Sequence, residues 1–354
     1  MLQTPTLFPN FAPADRGVYL LLQAFFMVLA IFRNNRVSTA IFLALYVVLT
    51  RATALFGWVH VMPWPAANGS LLYKSWFGWT ENAPFYSALA AAVLVYLQAL
   101  MVNWLVDEFR LMSDRNWFPG LFYVLVTSIL PEFLFISAPL VAATFVPISL
   151  RKVFKSYKSM QATPLVFDAA LWMSVAALFY PPALMLLLAA YSGIMVMRSF
   201  QVREQLVFFS GAFTPLFLVW LWYLWADQGS EFRAIQFGGI FQLYRFNVTI
   251  DHKMLLKTAL LVILFFVFIF GLGQYFQRKL IQTQKAITTL YWVLFTGGLL
   301  VLFRADWHWE HFLLPAAAAS IFLAFSFHGI RRKLIAEVLH LALLAALFFI
   351  QIFP

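Results

Sequence analysis

The chain is a succession of apolar runs, many of them about 20 residues long, separated by short polar segments. That pattern constrains the fold more than any other feature. A bilayer core about 30 Å thick is crossed by roughly 20 apolar residues in a helix. No lipid-exposed backbone can be left irregular there, because its N–H and C=O groups would find no partner. The runs are too long for barrel strands, which need alternating segments of roughly 10 residues. Only 11% of residues are charged, against about 25% in soluble domains. The sequence therefore predicts an all-α, polytopic transmembrane bundle, residues 1–354 forming a single integral membrane domain.

About twelve spans (11–13) can be drawn: 17–33, 37–59, 85–106, 117–136, 138–150, 164–179, 183–197, 206–226, 256–277, 286–303, 312–329 and 335–353. Pro131, Pro147, Pro181 and Pro182 fall within or between them. Sixteen of the 24 basic residues lie in one set of alternate loops and six in the other; Arg51 and Lys257 fall inside spans. By the positive-inside rule the richer set faces the cytoplasm. Both termini are then outside, or the N-terminus inside if 17–33 lies flat in the interface. The net charge of +10 reads as this loop bias and not as a nucleic-acid surface. The absence of Cys excludes disulfides, thiolate catalysis and cysteine metal sites. The first 16 residues show no basic region ahead of the first run, so no cleavable signal peptide is expected. No internal repeat is visible, which weighs against an inverted-repeat transporter.

The outer side holds the longer loops, 60–84, 227–255 and 304–311. The first is rich in Trp, Pro and Gly and carries only Lys74 and Glu81 as charges, suiting a segment that lies on the membrane surface. The second has an apolar middle, Ala234 to Leu243, long enough to enter the bilayer and too short to cross it. The third packs Arg304, Asp306, His308, Glu310 and His311 into eight residues. An extended backbone would place Asp306, His308 and Glu310 on one side; a helical turn would bring His308 and His311 together. Two His without a fixed third ligand do not predict a metal site.

Charges inside spans are costly and mark function or a structural partner. Arg51 and Glu132 both sit toward the outer side and are candidates either for a ligand or for a bridge to each other. Asp168 is expected to partner the Lys-rich segment 151–158. Arg233, Arg245 and Arg304 could together hold an anionic headgroup through charge-assisted hydrogen bonds.

Two stretches carry a resemblance. From Arg51 through the first outer loop to LVYLQALMVNWLVDEF and FYVLVTSILPEF, the layout resembles the amino-terminal half of the GT-C membrane glycosyltransferases. Late in the chain, EHFLLPAAAASIFLAFSF is similar to that family's basic-or-His, LLP, Ala-rich segment. The order NWLVDEF, SILPEF, FDAALWMSVAALFYPPALMLLLAAYSGIMVMRSFQVRE also resembles an uncharacterised family of bacterial inner-membrane proteins. The GT-C resemblance implies transfer of sugar from a polyprenyl-phosphate donor at the periplasmic face. It also implies an acidic base, for which Glu81, Asp306 and Glu310 are candidates. Arg51, Glu132, Arg233, Arg245, Arg304, His308 and His311 would line the substrate site. In that family the acid serves as base or metal ligand, so the resemblance implies a divalent cation as the candidate cofactor. The early Asp of GT-C enzymes has no counterpart in 60–84. The alternatives are a non-catalytic scaffold or accessory subunit of an envelope-biogenesis complex, with protein partners in the membrane, and a transporter.

Overall fold

Pro131 and Pro181 set the character of this bundle. A proline lacks an N–H and drives the residue before it out of the helical region. Leu130 (φ −109°, ψ 145°) and Tyr180 (φ −137°, ψ 99°) are accordingly extended, each directly before a short 3₁₀ turn; the preceding helix ends at Val126 in the first case and at Phe179 in the second.

The computed structural model describes residues 28–33, 36, 38–59, 61, 63–65, 68–238, 255, 257–259, 280–302 and 308–352. Most of the runs 17–33 and 256–277 lies outside them, as do Arg245, Arg304 and Asp306. The described residues contain helices and no strands. The helices are α1 (Val28–Arg33), α2 (Ser38–Thr50), α3 (Ala52–Leu55), α4 (Leu71–Phe77), α5 (Pro84–Glu108), α6 (Phe118–Val126), α7 (Ala138–Ala143) and α8 (Phe145–Lys155). They continue with α9 (Ala162–Phe179), α10 (Leu186–Met197), α11 (Val202–Trp225), α12 (Gly229–Phe237), α13 (Ile281–Leu302), α14 (Ala316–Gly329) and α15 (Lys333–Ile352). Short 3₁₀ turns occupy Gly78–Asn82, Pro131–Leu134, Pro181–Met185 and Trp309–Leu313.

Four of these, α5, α9, α11 and α15, are long and apolar enough to cross a membrane. The run 117–136 is not one span. It is helical only over α6, whose nine residues rise about 14 Å, under half a bilayer core. Every residue of α6 is buried. It packs against α5 and α14, with the Phe122 and Phe327 rings 4.5 Å apart. The run 138–150 likewise divides into α7 and α8 around Thr144.

A broken helix at such depth is tolerated only where protein satisfies the freed backbone groups. Arg51 is fully buried and donates to the carbonyls of Thr127 (2.8 Å), Phe133 (3.1 Å) and Leu134 (2.8 Å). The Gln351 amide donates to the Ser128 carbonyl (2.6 Å). Tyr73 Oη donates to the Ile136 carbonyl (3.2 Å), and the Ile136 amide donates to Ser87 Oγ (3.2 Å). The Gln98 amide donates to Leu140 O (2.8 Å) and accepts from Tyr123 Oη (2.8 Å). Side chains from α4, α5, α6, α15 and the α2–α3 junction thus replace the ladder that the break removes.

α9 packs on α8 and α11, and α10 on α13. The close approach of α9 and α11 depends on Gly211, where a Cβ would stand 2.5 Å from the Phe167 carbonyl oxygen. The charged residues of the basic loops gather at one end of the bundle. Glu108 pairs with Arg151 (2.6 Å) and Lys155 (3.0 Å), Lys152 with Asp168 (2.6 Å) and Arg198 with Glu204 (2.7 Å). Asp168 therefore meets the Lys-rich segment as its position suggests.

Candidate functional site

At the opposite end, the turns created by the two prolines meet the polar loop near residue 310. The Pro131–Leu134 turn and α7 both pack on the Trp309–Leu313 turn, and α13 touches the latter as well. This brings together side chains as far apart in the chain as Trp64 and His311.

Glu132 pairs with Lys257. Both are largely buried, with 16% and 12% of their side chains exposed. Glu132 Oε2 takes no hydrogen bond among the described residues. The Lys257 ammonium stands 6.0 Å from the centre of the Trp309 ring. Glu310 is buried beside this pair. Burial pushes its carboxyl up to about 8, and the Glu132 carboxylate adds to the rise. A backbone hydrogen bond at Glu310 and the charge of Lys257 oppose it. Burial and a neighbouring carboxylate thus both favour the protonated form of Glu310 near neutrality.

Beside Glu310, the buried His311 Nδ1 shares a hydrogen bond with Tyr180 Oη. The tautomer decides which atom donates. His308 is extended, and the 3₁₀ turn after it sets the His308 and His311 rings 5.8 Å apart. Trp64, from the segment between α3 and α4, stands 5.0 Å from His308 and 6.4 Å from Tyr180, centre to centre. Tyr73 is fully buried. Burial raises its phenol, as do the charges of Glu81 and Glu310, while Thr80 opposes the shift. α12 closes the Pro181–Met185 side, its Gln236 amide donating to the Ala177 carbonyl (2.6 Å).

The candidates fare differently. Glu310, His308, His311 and Glu132 converge. Glu81 is exposed in the Gly78–Asn82 turn, and its charge acts on Tyr73. Arg233 lies on the exposed face of α12, opposite Phe232 and Gln236. Arg51 does not bridge to Glu132: its fork takes backbone carbonyls, while Glu132 takes Lys257. Its position is that of a support for the broken helix. Arg245, Arg304 and Asp306 are outside the described residues. Among the described residues no group of three His, Asp or Glu side chains could hold a metal ion.

Lys257, Tyr180, Tyr73 and Trp64 join the cluster without having been candidates. Lys257 was visible as a charge inside an apolar run, and Tyr180 as the residue that Pro181 must hold extended.

A buried carboxyl, an ammonium and a His–Tyr pair converge in a largely buried, aromatic-lined setting at one end of an all-helical bundle. That arrangement defines a polar site on an apolar, membrane-compatible scaffold. No protein-family model, curated protein or solved structure matches this chain.

Proposed function

We propose that the chain is a GT-C-like transferase of the bacterial inner membrane. It uses a polyprenyl-phosphate-linked sugar at the periplasmic face, in the service of envelope biogenesis. The observation that carries this reading is Glu310, a buried carboxyl with a raised pKa beside an ion-paired Lys257. A group poised near neutrality can take a proton in the reacting complex. The acceptor hydroxyl oxygen attacks the anomeric carbon and its proton passes to ionised Glu310. The bond from that carbon to the phosphate oxygen breaks, and polyprenyl phosphate leaves with the electron pair. Lys257 meets the charge that develops on the phosphate, and His308 is placed to hydrogen-bond it. Trp64 and Trp309 offer flat faces to the sugar. Gathering the basic loops at the other end supports the periplasmic placement.

Native mass spectrometry of the full chain extracted from its own membranes tests this. A bound polyprenyl phosphate or glycolipid is expected, lost in Lys257→Ala while the protein stays monodisperse. A second reading, an accessory subunit, draws on α11, only 17% buried across its apolar window. Leu206, Phe209, Phe213, Trp222 and Trp225 on it are all exposed. A stoichiometric protein partner, with no such lipid, would favour that reading.

A further inference from the structure

A second polar feature lies at the basic end of the bundle, remote from Glu310. An open cleft of about 440 Å³ is lined by Arg33, Asp114, Asn116, His328, Ile330 and Arg331. The volume is that of a small-ligand site, which typically spans about 300–1,000 Å³. Its wall comes from three separate places: the end of α1, the loop between α5 and α6, and the last turn of α14 with the turn into α15. His328 is held in place, with Nε2 3.1 Å from Ser113 Oγ and 3.6 Å from Asp114 Oδ2. Asn116 is committed to the loop, donating to Asp114 O (3.0 Å) and accepting from the Phe118 amide (3.0 Å). That leaves the cations. Arg33 lies 5.9 Å from the Phe118 ring. Among the described residues, neither Arg33 nor Arg331 is within ion-pair distance of a carboxylate. Asp114, the acid of the lining, faces His328 instead.

The surface beside the cleft is apolar. Ile31 on α1 and Leu334, Ile335 and Val338 on α15 are all exposed, and α1 packs against α15. A ligand with an anionic head and an apolar body fits both halves. Guanidinium forks match the geometry of phosphate oxygens. Basic pockets between helices at the cytoplasmic surface are suited to lipid head groups.

We infer that the Arg33–Arg331 cleft binds a phosphate group, carried by an anionic phospholipid whose chains lie along α1 and α15. This site is separate from the proposed transfer site, and its test does not depend on transferase activity.

The test is lipid titration of the delipidated full chain in detergent, read by native mass spectrometry. The probes are phosphatidylglycerol, phosphatidylcholine and inorganic phosphate. Phosphatidylglycerol should bind at least about tenfold more tightly than phosphatidylcholine, and Arg33→Gln/Arg331→Gln should abolish that preference. Arg203→Gln/Lys158→Gln removes two exposed cations elsewhere and should leave it intact. Arg33→Lys/Arg331→Lys keeps the charge and guards against misfolding; it should retain part of the preference. Displacement of the lipid by inorganic phosphate would identify a free phosphate as the ligand, and no displacement would identify the lipid. Equal binding by wild type and Arg33→Gln/Arg331→Gln would overturn the inference. So would equal loss in the control pair, since surface charge alone would then explain the binding.

Discussion

Glu310 is the residue on which the proposed chemistry turns, and its environment makes two measurable demands. Its carboxyl has an ordinary value of 4.5 and sits at about 8 in the folded chain. The folded state therefore holds a proton that the unfolded state releases between those values. Stability is fullest below about 4.5 and is lost as the pH rises through 8. Melting temperature in detergent should fall from pH 5 to pH 9. Glu310→Gln, which cannot ionise, should flatten that slope. Transfer has the opposite dependence: a base must be ionised, so the rate should climb toward an apparent pKa near 8, and Glu310→Gln should reduce it by about 100-fold or more. A rate that is flat across pH 6–9 would remove Glu310 from that role. Tyr180 bonds to His311, the next residue after Glu310 in the chain. Tyr180→Phe deletes the hydrogen bond to His311 and should cost about 1 kcal/mol in thermal unfolding.

Among the elements, the broken segment between α6 and α7 has the largest consequences. It creates the Pro131–Leu134 turn that carries Glu132 to the site, and it is held by Arg51 through three carbonyls. Arg51→Met would leave those carbonyls buried and unanswered, each costing about 1–3 kcal/mol. We expect a loss of about 3 kcal/mol or more in thermal unfolding, with Arg51→Lys recovering only part because an ammonium lacks the planar fork. Wild-type stability in Arg51→Met would show that water or rearranged backbone serves equally well. This element also marks what the sequence could and could not reveal. Apolar runs and the loop charge bias were legible because lipid imposes them one segment at a time. Lys152–Asp168 was legible because the two sit on adjoining segments. The partner of Arg51 was not: a charge in a span announces a need, but the carbonyls that meet it are free only because α6 ends at Val126 and the chain turns through Pro131. Tyr180 and Trp64 were hidden for a related reason, since an aromatic beside apolar residues has no distinguishing pattern until the fold sets it against His308 and His311.

At the scale of the molecule, the two ends differ in kind. One end gathers Arg151, Lys155, Lys152 and Arg198 with their acids and holds the Arg33–Arg331 cleft. The other gathers Trp64, Tyr73, Tyr180, Glu132, Lys257 and the His308–His311 turn. Helices α5, α9, α11 and α15 run between these ends, so the bundle has a polarity along its length. Lys and Arg near short loops are retained on the cytoplasmic side, and the proposed function accordingly takes the Glu310 end as the outer one. The protein contains no Cys, so a single introduced thiol reports its own side of the membrane. Lys74 on α4 belongs to the site end and Lys158, just past α8, to the basic end; both are exposed. In intact cells with the outer membrane opened, Lys74→Cys should react with a membrane-impermeant maleimide at once. Lys158→Cys should react only after the inner membrane is permeabilised. The reverse pattern would put Glu310 and Lys257 on the cytoplasmic side. A donor presented at the periplasmic face could not then reach them, and the transferase reading would fail even if the bundle and its site stood unchanged.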